Sequence, residues 1–291
     1  MSGNLPKKGR GSKSGGGARA KAPPKRAASA KSATKAAPKR AARANKASKA
    51  GAGKTAPVKR ARRPTAPAVY HPGPLIDCES ALEEAVAKLI ALDPDIVGKL
   101  IEIGGAPPLR RQEPGFIGMA RIIVSQQLST ASANAIFRRL EAAVAPLDAQ
   151  GLIAADEQTL RACGLSTAKI RALRALAEAV ARDGLDLTGL GALGAGQAHQ
   201  TLVTIKGVGP WTADIFLLFC LGHPDSFPAG DLALQEAARL ALGLKERPNA
   251  QRLEEIAERW RPWRGVAARM LWAYYRIARK RVGMALESPR A

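Results

Sequence analysis

From residue 78 onward, apolar positions recur at intervals of three and four, the spacing that lines one face of an α-helix. Leu82, Val86, Leu89 and Ile90 form one such stripe, which Ser80 and Glu83 open as a capping box and Asp93 and Pro94 close. Ile136, Leu140 and Val144 are spaced by four, and Ser166 is placed to cap a helix whose stripe is Ile170, Leu173, Ala177 and Val180. No segment alternates as a strand, and no repeat of about 20 to 50 residues is present. Roughly 220 residues of short helices punctuated by Gly and Pro predict one all-α unit of two helical lobes around a cleft.

The stretch IKGVGPWTADIFLLF, Ile205 to Phe219, is the most unusual part of the pattern. Leu202 and Ile205 end one helix, Gly207 and Gly209 permit positive φ in a tight turn, and Val208 between them points inward as an anchor. Pro210 suits the first position of the following helix. The amides left over at the turn and first helical turn, aided by the helix dipole, favour an anion, and a DNA phosphate is a natural guest. Glycine spacing alone fits an ordinary helix-turn-helix corner equally well.

Three carboxylates follow the turn. Asp231 stands after PAG and before LALQEAARLAL, an ideal N-cap position. Asp214 falls in the first turn after the hairpin, where the dipole accounts for it, and Asp225 in a loop is expected to be solvated. Nine of the twelve aromatic residues lie after residue 200. Helical spacing assigns Trp260, Trp263, Phe216 and Phe219 to a packed core, whereas Trp211 opens a helix beside the proposed phosphate site.

Charge divides the chain. Of its 46 Lys and Arg, 20 lie in residues 1–76, where there is no Asp or Glu; the remainder carries 26 basic against 24 acidic residues. Residues 1–67, with blocks such as KAAPKRAARANKASKAGAGK, have too little apolar surface to offset backbone ordering and read as a disordered basic tail. Residues 68–77 form a Pro-rich linker, and 78–291 the helical domain. Such a tail is either a solvated extension or a tether that neutralises phosphates and gives salt-sensitive, sequence-blind DNA affinity. No secretory signal and no run of about 18 apolar residues is present, so no membrane partner is expected. Cys78, Cys163 and Cys220, odd in number and far apart, suit reduced thiols of a cytoplasmic, DNA-associated protein and offer no zinc pattern.

Four blocks carry a resemblance: FIGMARIIVSQQLSTASANAIFRRLEAAV, GLSTAKIRALRALAEAV, IKGVGPWTADIFLLFCLGHPDSFPAGDLALQ and RWRPWRGVAARMLWAYY. In that order, over roughly residues 78–280, they resemble the helix-hairpin-helix DNA glycosylases, above all the 3-methyladenine DNA glycosylase II family. The resemblance implies that Asp231 is the catalytic aspartate and that Trp211 and Trp272 form the base pocket, where ring faces favour a cationic base. It places Gly207, Val208, Gly209 and Thr212 of the hairpin at the DNA, with Gln126 and Gln127 in the loop that fills the vacated stack and Gln127 as the wedge. Gln126 and Gln127 read equally as exposed polar residues between helices.

Strand-cleaving relatives carry a lysine where this chain has Trp211, and Lys206, five residues earlier, does not match it. No cysteine follows Cys220, so the four-cysteine iron–sulfur cluster of the endonuclease III branch is not implied. Ile215 and Leu232 stand where some members have tyrosine, and the mixed-sheet N-terminal domain of one branch is missing. The implied activity is monofunctional hydrolysis of the N-glycosidic bond of alkylated purines in double-stranded DNA, by a monomer that needs neither cofactor nor metal. Some members hold a cation on the hairpin carbonyls. The rival readings are a non-enzymatic DNA-binding or compacting protein, in which Asp231 only caps, and a glycosylase that also cuts the strand.

Overall fold

The computed structural model describes residues 73–287; the basic tail and residues 68–72 of the linker lie outside the described residues. Among the described residues there are twelve α-helices and no strand. They are α1 (Glu79–Leu92), α2 (Pro94–Gly104), α3 (Gly115–Ser125), α4 (Thr130–Ala143), α5 (Ala149–Ala154) and α6 (Glu157–Ala162). There follow α7 (Thr167–Ala181), α8 (Ala195–Val203), α9 (Pro210–Ile215), α10 (Leu232–Leu242), α11 (Ala250–Ala257) and α12 (Arg264–Glu287).

Short polar side chains decide where most of these helices begin. Asp93, Ser129, Asp148, Asp156, Ser166, Asp231 and Asn249 each accept a hydrogen bond from a first-turn amide of the helix that follows. Each such cap is worth about 1 kcal/mol. The capping box expected for α1 does not form. The helix starts at Glu79, so Ser80 is its second residue and its hydroxyl meets Cys78 Sγ at 3.2 Å, while no side chain caps the end. The buried face of α1 is Leu82, Ala85 and Leu89; Ile90 lies one step around the helix and stays exposed.

Two apolar cores form the two lobes. One packs α3, α4 and α7 against α8 and α9 around Met119, Phe137, Leu173, Leu202 and Phe216. The other packs α1 and α2 against α10, α11 and α12 around Leu89, Leu100, Leu234, Trp260 and Leu271. The first two helices thus join the last three, and α3–α9 form the lobe between them. Trp272 of α12 packs against both cores. Trp260 is fully buried, and its indole N–H donates to Asp93 Oδ2 at 2.9 Å, so the residue that caps α2 also holds the end of α11.

The loop between residues 222 and 230 is not a solvated connection. Asp225, expected at the surface, is 0% exposed. Arg264 grips it with Nε to Oδ1 and Nη2 to Oδ2, both at 2.8 Å, and with Nη2 to its carbonyl at 3.1 Å, while Arg261 Nη1 donates to Oδ2 at 2.7 Å. A buried carboxylate with two guanidinium partners is the usual way a charge is tolerated inside a protein. Asp214 also departs from its expectation. The helix dipole does not hold it as an ordinary carboxylate, because burial pushes its carboxyl up to about 7, with the Ser226 hydroxyl acting in the opposite direction. His199 lies 3.8 Å away, but burial lowers its imidazole too, so the two do not form a full ion pair at neutral pH.

Candidate active site

The hairpin joins α8 to α9. Leu202, Ile205 and Val208 are buried in the first core, Val208 as the expected anchor, and Pro210 opens α9. Gly207 has φ +91°, and a Cβ there would lie 2.4 Å from the Ala172 Cβ of α7; both the left-handed backbone and the close approach require glycine. Gly209 differs from expectation: its φ is −86°, ordinary extended backbone, and nothing lies within 4 Å of a Cβ built on it. It caps α9 without a side chain, so the first-turn amides have neither an intrahelical nor a side-chain partner.

After Ile215 the backbone widens into a π-helical turn, Phe216–Leu221. Such turns often mark functional positions. Trp211, Ile215 and Phe219, four residues apart in turn, lie on one face and all line a cleft. Phe216 is fully buried, as expected of a core residue; Phe219 packs against the same core and also lines the cleft, where it stacks on Trp272, ring centres 5.7 Å apart and planes 26° apart.

That cleft, of about 310 Å³, contains Asp231. The carboxylate caps α10 through Oδ1, which accepts from the Leu234 amide at 2.8 Å. Oδ1 also accepts from Trp272 Nε1 at 3.2 Å, and Oδ2 from Trp211 Nε1 at 3.0 Å. The structure therefore brings together Asp231, Trp211 and Trp272, three residues up to 61 positions apart in sequence. Trp211 is 37% exposed, with its ring at the cleft mouth; Trp260 and Trp263, by contrast, are buried. Ile215 also lines the cleft, while Leu232 is 61% exposed beside it.

Three cations in the wall were not anticipated: Arg110 from the segment between α2 and α3, and Arg269 and Arg276 from α12. Arg269 and Arg276 flank Trp272 at −3 and +4 on the same helix face, a spacing that could have found them; Arg110 carries no such signal. Arg269 lies 4.7 Å above the Phe219 ring and donates to the carbonyls of Leu218 at 2.7 Å and Arg110 at 3.2 Å. Burial, with Arg111 and Arg110 nearby, lowers it to about 10, so it remains charged at neutral pH. These cations oppose part of the preference for a charged base that ring faces alone would give.

The loop after α3 does not line the cleft but is tied to α9. Gln127 is exposed and has φ +56°, the one non-glycine residue with positive φ among the described residues. Gln126 is half-buried and donates from Nε2 to Thr212 Oγ1 at 2.8 Å. Thr212, expected at the DNA, is 3% exposed; its side chain is turned inward to hold Gln126 and has no free surface to offer.

Residues 120–262 match the HhH-GPD superfamily of base excision DNA repair proteins. DNA-3-methyladenine glycosylase 1 of Schizosaccharomyces pombe is 31% identical over 210 residues, 68% of this chain and 90% of that one. The crystal structure of a DNA-3-methyladenine glycosidase from Bacillus halodurans superposes with a TM-score of 0.62 at 31% identity, over 71% of this chain and 93% of that one. The S. pombe 3-methyladenine DNA glycosylase in complex with abasic DNA superposes with a TM-score of 0.53 at 29% identity, over 65% and 95%. The likeness extends over most of the length of each of these relatives, and this chain belongs to the HhH-GPD superfamily of base excision DNA repair proteins, in its 3-methyladenine DNA glycosylase II family.

Proposed function

We propose that the chain hydrolyses the N-glycosidic bond of alkylated purines, of the 3-methyladenine type, in double-stranded DNA and leaves an abasic site without cutting the strand. The observation that carries this reading is the Asp231 carboxylate, facing a base-sized cleft with both of its oxygens held by indole N–H groups. A residue that merely capped α10 would need neither the cleft nor the rings.

The damaged nucleoside leaves the duplex at a cost of a few kcal/mol, least for a damaged pair. Its base enters beside Trp211, Trp272 and Phe219, and Asp231 stands opposite the sugar. As the bond to the base lengthens, positive charge grows on the sugar, and the fixed carboxylate stabilises it and orients the attacking water. An alkylated purine already carries positive charge, so it departs without a general acid, and one carboxylate suffices. The hairpin amides grip a phosphate, and Gln127 fills the emptied stack. Trp211 stands where strand-cleaving relatives carry lysine, so no amine is placed to form a Schiff base with the sugar.

The test uses the full chain, as a monomer, on methylated duplex DNA. Free base should be released, with strand breaks only after hot alkali. Tight, salt-sensitive binding with no base released would leave a DNA-compacting protein. Breaks before alkali, or an adduct trapped by borohydride, would mean a strand-cleaving enzyme.

A further inference from the structure

The loop that carries Gln127 is built from both sides. Lys169 of α7 donates from Nζ to the Val124 carbonyl, in the last turn of α3, at 2.6 Å. One turn further along α7, Ala172 is the residue whose Cβ leaves room only for glycine at the hairpin's Gly207. On the other side, Gln126 reaches Thr212 of α9, which is 3% exposed. Beyond the loop, Ser129 closes the turn by accepting from the Ser132 amide at 3.2 Å to start α4. Between these anchors only Gln127 and Leu128 are free to face solvent, and Gln127 is held in a backbone region that side chains other than glycine seldom occupy. Such a conformation persists only where its surroundings over-determine it.

We propose that the Gln126–Thr212 hydrogen bond is a latch that positions the wedge: it ties the left-handed Gln127 to the helix whose first turn faces the DNA backbone, so that hairpin and wedge engage the duplex as one preset unit. This inference rests on the reading of Gln127 as the wedge. The Thr212 side chain then positions the wedge through Gln126 without itself touching DNA. The geometry favours this over a plain core contact, because Gln126 is the residue immediately before Gln127 and its amide, among the described residues, makes the side-chain bond that joins this loop to the hairpin helix. Without the latch, the loop could relax out of the left-handed region, and each encounter with duplex would have to order it again.

A wedge matters only when a base must be held out of a stack, so the readout is the ratio of base release from a duplex to release from a single strand carrying the same lesion. Thr212→Val keeps the shape and removes the acceptor. It should lower the duplex-to-single-strand ratio about two- to ten-fold, the range expected for one hydrogen bond of ordinary strength. Gln126→Met should lower it similarly, and the double variant should add little to either single change, as for two ends of one contact. Thr212→Ser, which restores the oxygen, should recover most of the ratio. Equal losses on both substrates, or no loss, would overturn the latch. Gln127→Ala separates this from failure of the wedge reading. If that variant lowers the ratio while Thr212→Val does not, the latch alone is wrong; if Gln127→Ala also leaves the ratio unchanged, the loop is not the wedge.

Discussion

Replacing Asp231 with asparagine separates a cap from a catalyst. Asparagine caps a helix as well as aspartate does. Its oxygen can keep the bonds that Oδ1 now accepts from the Leu234 amide and Trp272. The new NH2 replaces Oδ2 and faces the Trp211 N–H, a donor against a donor, so that bond is lost. Trp211 is 37% exposed and water can take its place, which limits the loss of stability to about 1 kcal/mol. Activity should respond very differently. A full positive charge about 4 Å from a carboxylate, at an effective dielectric of about 20, is stabilised by about 4 kcal/mol. Removing that interaction slows the chemical step by about a thousand-fold. The assay is single-turnover release of 3-methyladenine from methylated duplex, with urea unfolding of the same preparations. Asp231→Ala, which also loses the cap, should be as inactive and a further 1 kcal/mol or so less stable. An asparagine variant within ten-fold of wild type in base release would refute the catalytic role and leave Asp231 a cap.

Asp225→Ala should destabilise the fold by about 3 kcal/mol, read from the urea midpoint, because it leaves the buried Arg264 guanidinium with only the half-exposed Glu258 carboxylate as a charged partner. For Asp214, the folded carboxyl at about 7 binds a proton that an ordinary carboxyl, at 3.8, has already released, so the folded state gains protons relative to the unfolded state between those values. Stability from this group is therefore fully present below about pH 4 and is lost as pH rises to about 7. Asp214→Asn should flatten that part of the urea stability profile and leave the variant more stable than wild type at pH 8. A wild-type profile that rises across the same range, with the variant parallel to it, would contradict the burial argument.

The helical character of the domain was legible because it rests on local chemistry: Ser166 and Asp231 cap where their positions suggested, Asp93 and Pro94 end α1, and Ile170, Leu173 and Ala177 are buried on one face. Fates that depend on distant partners were not. Nothing near Asp225 in sequence announces Arg261 and Arg264, 36 and 39 residues on, which turn an expected surface loop into a buried strap. Phe219 packs on the first core as its spacing suggested, but its stacking on Trp272, 53 residues on, was not legible from the residues around it. Thr212 was drawn to the surface by its place in the hairpin, but the third position of a helix also faces inward when a neighbouring loop offers it a donor, here Gln126.

Under the proposed function the two roles of Asp231, cap and catalyst, are compatible, because its two oxygens have different partners. Oδ1 is occupied by the α10 amide and Trp272, which fixes the side chain and leaves its rotamer no freedom to search. Oδ2 accepts only from Trp211 among the hydrogen bonds described, so it keeps acceptor capacity on the side toward the cleft. On the proposed function, capping supplies the preorganisation that electrostatic stabilisation needs, since an anion already held in place requires no rearrangement when charge appears on the sugar. The same bonds orient both indoles, so carboxylate and ring wall are set by one residue. A carboxylate on a flexible loop could carry the same charge, but it would have to be ordered at each turnover and would leave Trp211 and Trp272 without a common anchor.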